Sequence, residues 1–406
     1  MTKSHEWNCS TTAILLRLAF LDSSGFVRFV ISPLCLVFFR AFRVFRGSTF
    51  LLAKHRMSIL GLDIGGANIK AADVTGRTLT LPFAIWKSPQ QLAARIASIS
   101  CEFPETTRLA VTMTAELADC FATKAEGVAS ILDQVQATHQ PQAPLVWSTA
   151  ADFVDCETAR RQPLLVAAAN WHALATWVGR NLISTSSHGE PSESCALLID
   201  IGTTTTDIIP LVEGVPATLG QTDIARLQSG ELCYAGVKRT PLCAVAHSVP
   251  FRDGYCTAAA ELFATMLDVY LLLGDIPEDD HDLETANGRP ATRAAAHDRI
   301  ARLLCGDRAE VSMDEATQIA RFLADVQRQR LTRALDRVLS RLPRRCETVF
   351  ISGSGTFLAR RLIAEHRQLK AARITSLDEL LSPGVAEAAC AYAVARLASD
   401  RWPSVE

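Results

Sequence analysis

One short phrase occurs twice in this chain, and the repetition constrains the fold more than any other feature. Residues 61–70 read GLDIGGANIK and residues 198–207 read LIDIGTTTTD. Asp63 aligns with Asp200, Gly65 with Gly202 and Asn68 with Thr205, at an offset of 137 residues. Each copy is an apolar run ending in Asp, a Gly turn, small polar residues and a second apolar run, which is the pattern of a β-hairpin. The turn offers backbone N–H groups, hydroxyls and one carboxylate, a set that can hold a phosphate and its metal ion. Two copies predict two related half-domains facing each other across a cleft.

The chain has 406 residues, enough for two or three domains and a large core. A net charge of −2 gives no global attraction for nucleic acid. The balance is uneven: residues 1–56 carry eight Lys/Arg against two acids, which leaves an acidic body. That N-terminal stretch is apolar and Arg-rich, but Ser32, Pro33 and several arginines interrupt it, so stable membrane insertion is not expected. Met57 directly precedes the first strand, and the simplest expectation is that it is the true start; a peripheral targeting segment is the alternative. The 12 cysteines form no C-x-x-C and no zinc-like cluster, so reduced thiols and a cytoplasmic setting are expected.

Hydrophobic spacing predicts strands at 59–64, 68–74, 78–85, 108–112 and 145–148, with helices at 89–100, 124–137 and 163–182. A Ser-rich stretch at 184–194 reads as a linker. The second half restarts with strands at 196–200 and 205–212. Helices follow at 262–273, 292–304 and 314–339, then a strand at 348–352, a helix from Thr356 and a last helix at 385–397. Strands and helices alternate in both halves, so the fold class is α/β with two related halves. The expected organisation is an extension at 1–56, a first half at 57–183, the linker at 184–194, and a second half at 195–406 with a helical insertion at about 257–340.

The first loop gives Asp63, Gly65, Gly66, Asn68 and Lys70 as candidate phosphate and metal ligands; alone, it also reads as an ordinary Asp-Gly hairpin. The second gives Asp200, Gly202, Thr203, Thr204, Thr205 and Thr206, whose hydroxyls are natural donors to phosphate oxygens. A third element, VFISGSGTF at 349–357, places Gly353 and Gly355 in a strand-turn-helix. It lacks the third glycine of a dinucleotide fingerprint, since Leu358 stands there, and reads as a nucleoside-contacting turn or a plain connection. Thr112, Thr114, Glu116, Asp119 and Lys124 cluster after a strand end, where ligands gather in α/β folds. Asn170 and His172 interrupt an apolar helix, as a substrate contact or as a hydrogen-bonded core histidine. Glu231 and Arg239 are candidate substrate contacts. The acidic run at 278–282 reads as a solvated loop.

In this order the three elements resemble the first phosphate, second phosphate and adenosine motifs of the actin/hexokinase/Hsp70 superfamily, which has two ribonuclease-H-like halves. LGLDIGGANIK, Trp86-Lys87, VTMTAELADCF with TKAEGV, AANWHALA, DIGTTTTDIIPL, SGELCYAGVKRTP and TANGRPAT resemble the hydantoinase A/oxoprolinase-like family. More narrowly, they resemble its members in the tetrahydromethanopterin-linked one-carbon pathway. The resemblance covers residues 58–397. Asn287 departs from it, standing where that pattern has Asp.

The resemblance implies a transferase like the archaeal members that build methanofuran, joining a furanmethylamine diphosphate to the phenol of γ-glutamyltyramine and releasing pyrophosphate. Asp63 and Asp200 would position Mg²⁺, the threonines and loop amides would stabilise the leaving group, and Glu116 or Asp200 would be the base. The partner would be a small phosphorylated molecule; oligomeric state stays open. Two alternatives share the loops. One is an ATP-dependent amide hydrolase or small-molecule kinase, with ATP as cofactor. The other is a non-enzymatic nucleotide switch.

Overall fold

A computed structural model describes residues 58–138, 141–183 and 194–402. The extension at 1–56, Met57 and residues 184–193 of the expected linker lie outside the described residues.

Two sheets share one plan. The first holds β1 (Ile59–Ile64), β2 (Asn68–Asp73), β3 (Thr78–Pro82), β4 (Arg108–Met113), β5 (Leu145–Trp147) and β6 (Phe153–Val154), in the order β3-β2-β1-β4-β5-β6. The second holds β7 (Cys195–Ile201), β8 (Thr206–Val212), β9 (Val215–Pro216) and β10 (Leu232–Cys233). A separate hairpin, β11 (Ser248–Phe251) with β12 (Gly254–Thr257), precedes its last strands, β13 (Thr348–Ser352) and β14 (Arg373–Ser376). Its order is β10-β8-β7-β13-β14, with β9 also on β8. In each sheet the first strand of the repeated hairpin runs antiparallel to its partner and parallel to a later strand. The register repeats too. Asp63 lies opposite Lys70 and Thr112, and Asp200 lies opposite Asp207 and Ser352.

The helices are α1 (Leu92–Glu102), α2 (Lys124–Gln136), α3 (Asn170–Leu182), α4 (Asp223–Ser229), α5 (Met266–Leu273), α6 (Arg293–Leu303), α7 (Met313–Leu339), α8 (Thr356–Glu365) and α9 (Ala389–Arg401), with shorter turns between them. Both repeat strands are buried on both faces, as in sheets covered by helices. Strand alternation sends Leu60, Leu62 and Ile64 into one core with α1 and α2. It sends Leu197, Ile199 and Ile201 into another with α5 to α8. A third core lies between the sheets, built from Ile59, Ala110, Leu198, Phe350 and the faces of α3 and α9.

That shared core joins the halves more closely than a division at a linker implies. Helix α9, from the end of the chain, lies on the first sheet: a Cβ on Gly61 would sit 2.0 Å from the Ala391 carbonyl oxygen. Helix α3, from the first half, lies against the β8–β9 turn, where a Cβ on Gly179 would sit 2.0 Å from the Gly214 carbonyl oxygen.

Three expected helices are shorter than their apolar runs. The run at 163–182 breaks after Val166 and restarts at Asn170, with Ala168 at φ 49° between. The run at 262–273 becomes helical only at Met266, where the Asp268 carboxylate reaches back to the Thr265 N–H at 2.9 Å. The run at 385–397 divides into Pro383–Glu387 and α9.

The close helix contact gives a stability test. Gly61→Ala is expected to cost about 2 kcal/mol or more in chemical denaturation, since the carbonyl it meets belongs to a packed helix. Gly66→Ala, with open space around its Cβ position, is expected to cost less than about 1 kcal/mol.

Candidate active site

The two turns close alike. The Gly65 N–H donates to the Asn68 carbonyl at 2.9 Å, and the Gly202 N–H to the Thr205 carbonyl at 2.8 Å. Each is also tied from outside. The Phe83 and Ile85 amides donate to the Ala67 and Gly66 carbonyls at 2.8 and 3.0 Å. The second loop takes Val237 on Gly202, Lys238 and Arg239 on Thr203, and Gly236 on Thr204, all within 3.1 Å. Position 236 must be glycine here, because a Cβ would lie 2.4 Å from the Thr204 nitrogen.

The strand ends carry buried carboxylates. Asp63 and Asp200 are half-buried residues whose carboxyls are withdrawn from water. Burial raises the Asp63 carboxyl, while Lys70 and the Asn170 side chain oppose the rise. Its Oδ1 is enclosed without a hydrogen-bond partner, as is the Thr112 hydroxyl in register beside it. Burial, then Asp207, pushes Asp200 up to about 7; Lys70 and a hydrogen bond from Ser352 oppose this, and Asp63 adds to it. Both carboxyls thus feel the Lys70 charge, and Asp63 has the smallest of the influences on Asp200. Lys70 also donates to the Glu387 carbonyl at 2.7 Å.

Asp207 takes the place in β8 that Lys70 has in β2. It is paired with buried Arg226 of α4 at 2.6 Å, and that guanidinium stacks 3.9 Å from the Trp171 ring of α3. The contact joins the second hairpin to a helix of the first half. His172 beside it is a core residue: its Nδ1 accepts from Trp147 Nε1 at 3.2 Å, and burial, then Arg226, lowers it to about 4.

Glu116 follows β4 and is only 1% exposed. Neither carboxyl oxygen has a hydrogen-bond partner of ordinary geometry. Burial pushes the group up to about 7, against nearby backbone amides and Lys124, while Asp223 adds to the rise. Lys124, at the start of α2, stands 4.0 Å from Glu116 and 2.7 Å from Asp223, at the start of α4.

Several expected ligands have other work. Thr206 is buried and donates to the Ala235 carbonyl at 3.0 Å, so it is not available as a phosphate donor; Thr203, Thr204 and Thr205 retain some exposure. Glu231 is fully buried and accepts from Leu219 N, Gly220 N, Ser229 Oγ and Arg341 at 2.7 to 3.0 Å, which makes it a brace rather than a substrate contact. Gly353 and Gly355 answer to the strand behind them, since a Cβ would lie 2.5 Å from Asp200 Oδ1 at the first and 2.4 Å from Ile201 Cγ2 at the second. Asp119 and Arg239 are exposed. Asn287 accepts from Arg289 N at 3.2 Å and Arg299 at 3.3 Å, a turn contact rather than a metal ligand. In the acidic run, Glu278, Asp279 and Asp282 accept backbone N–H bonds of their own loop and its following helix. Sequence reasoning did not single out Asp207, Asp223 or Arg226, which pair with or lie near the charged groups above. Asp223 follows an N-cap threonine and reads in sequence as an ordinary first-turn acid.

The donor set suits a hard divalent cation: two carboxylates, one with an unpartnered enclosed oxygen, beside loops able to take phosphate. Magnesium is commonly held by one or two carboxylates plus substrate phosphates.

The hydantoinase/oxoprolinase family model matches residues 108–401. The chain belongs to the hydantoinase/oxoprolinase family. A relative from Methanocaldococcus jannaschii, the (4-{4-[2-(gamma-L-glutamylamino)ethyl]phenoxymethyl}furan-2-yl)methanamine synthase, is 31% identical over 346 residues, covering 84% of this chain and 98% of the relative. The synthase of the same name from Methanococcus vannielii is 40% identical over 124 residues, 30% of this chain and 55% of its own. Among solved structures, the archaeal actin homolog Ta0583 in complex with ADP covers 85% of this chain and 100% of its own, at 12% identity and a TM-score of 0.41. Among the described residues of this family member, no helix is long and apolar enough to cross a membrane.

The raised carboxyls make stability depend on pH. A carboxyl raised in the folded state keeps its proton where the unfolded chain has lost it. Its contribution is therefore full below the ordinary carboxylate range and is lost as pH rises towards about 7. Without divalent cations, thermal unfolding is expected at a lower temperature at pH 8 than at pH 5.5. Each group contributes at most about 1.4 kcal/mol per pH unit, and Asp200→Asn is expected to flatten the profile.

Proposed function

We propose that this protein is an ether-forming synthase that transfers a furanmethyl group from its diphosphate to the phenol of a glutamyl-tyramine and releases pyrophosphate. The observation that carries this reading is the repetition of one Asp-turn hairpin, with Asp63 and Asp200 both withdrawn from water and both near the Lys70 charge, in a chain aligned over 98% of the length of a named synthase. That synthase's name describes a phenoxymethyl-furan, so the bond at issue joins a furan methylene carbon to a phenol oxygen.

In this reading the turns Gly65–Asn68 and Gly202–Thr205 hold the diphosphate through backbone amides and the hydroxyls of Thr203, Thr204 and Thr205. Asp63 and Asp200 would hold Mg²⁺, which when bound supplies neutralisation of the diphosphate charge. Lys70 holds positive charge near the same carboxylates. The carbon–oxygen bond to the diphosphate breaks, and its electron pair leaves with pyrophosphate. The phenol oxygen forms the new bond to the methylene carbon, and its proton passes to Glu116. A base near 7 suits this work: about half of it is ionised at pH 7, and it is still basic enough to take a phenol proton as the transition state forms. Asn170 and Arg239 remain candidates for orienting the two substrates.

A second reading, ATP-driven amide hydrolysis or phosphorylation, is favoured by the family match alone. The two separate by ³¹P NMR. With Mg²⁺, a furanmethyl diphosphate and a tyramine derivative, pyrophosphate is expected. Asp200→Asn is expected to lower its formation about 100-fold or more, and Glu116→Gln by a similar factor. ADP formed from ATP, with no pyrophosphate from the diphosphate substrate, would favour the second reading. The transferase rate is expected to rise with pH through about 7, as Glu116 loses its proton.

A further inference from the structure

Glu116 is almost fully buried, and no side chain hydrogen-bonds to its carboxyl; besides Lys124, only its own backbone amide and that of Ala168 oppose the effect of burial. The nearest cation, Lys124, is 4.0 Å away and spends its short contact on Asp223, at 2.7 Å. Lys124 begins α2 of the first half, and Asp223 begins α4 of the second. Helix α4 is in turn anchored by Arg226, which pairs with Asp207 and stacks on Trp171. The charged and titratable groups facing Glu116 are Lys124 from α2, Asp223 from α4 and Tyr234, half exposed, from the segment after β10. The loop before α3 faces it with the Ala168 backbone, and α2 adds the Gly127 backbone, packed against the Glu116 carbonyl.

We propose that Lys124 and Asp223 are positioning residues that act through Glu116: the ion pair across the halves fixes the distance of the lysine charge from the Glu116 carboxyl, and so sets its charge state. The role deepens the function proposed above and rests on that reading for its catalytic meaning. Held at 4.0 Å, the lysine tempers the cost of burying Glu116 without locking it into a salt bridge, so the carboxylate stays free to accept a proton. Direct pairing would make it a poor base; loss of the cation would leave it protonated at neutral pH.

The experiment titrates Glu116 directly in the full protein by infrared spectroscopy, using the protonated-carboxyl stretch missing from Glu116→Gln. Lys124→Met is expected to move the midpoint up by one pH unit or more. Asp223→Asn removes a like charge and frees the lysine, and is expected to move it down by at least half a unit. Lys124→Arg is expected to restore the midpoint to within half a unit. A mere tether would give a different result, because loosening the halves from either side admits water and lowers both midpoints. Two downward shifts, or none, would overturn the proposal. The isosteric Asp223→Asn keeps the test open should Lys124→Met fold poorly. If Glu116→Gln kept the wild-type pH–rate profile, the base reading would fail, while the infrared shifts would still decide what sets Glu116.

Discussion

The structure turns on like charges kept out of water at the ends of two paired strands. Asp63 and Asp200 close the apolar runs of β1 and β7, and each is pushed above the usual carboxylate range by burial. Such a pair costs free energy unless something nearby is positive or the groups hold protons. Lys70 supplies one charge, and Arg226 neutralises Asp207 behind Asp200. The remaining negative charge faces the turns. A site of this kind would gain from a divalent cation carrying a phosphorylated ligand, as the proposed function requires.

The same logic explains how the halves are joined. Both carboxylates feel the Lys70 charge only if both sheets are held in one arrangement, and the exchanged helices α3 and α9 do that. Gly61 and Gly179 let each helix approach backbone to backbone, leaving no room for a methyl group. Arg226 on Trp171 and Lys124 on Asp223 add polar ties between the halves. Their burial gives them more weight than the exposed pairs elsewhere, such as Arg161 with Glu157.

Much of this was legible in the sequence, for reasons that differ by element. The repeated strands were readable because both are apolar on both faces and end in the same Asp-Gly signal. Helix α7 was readable from its long, charged period, while the structure shows that a Ser312/Glu315 capping box sets its start. The breaks before α3, α5 and α9 were not, since apolar residues continue across them and the stops are set by a left-handed Ala168 or by caps. Strands β9, β10 and β14 are too short to carry an alternation signal. Within the candidate site, the turns were legible because Asp, Gly and small polar residues recur at the same spacing in both copies of the repeat. Thr206 and Glu231 show the limit: residue type suggested ligands, while tertiary hydrogen bonds give both a structural role. Asp223 shows the converse, since its short ion pair is with a lysine 99 positions away.

The central claim is that the cleft between the two Asp-Gly turns is where the diphosphate is held. The most direct measurement is a crystal structure of the full chain grown with Mg²⁺ and pyrophosphate. Pyrophosphate is expected between the turns Gly65–Asn68 and Gly202–Thr205, with the cation on Asp63 and Asp200. Pyrophosphate ordered elsewhere, with those turns bare, would contradict the account.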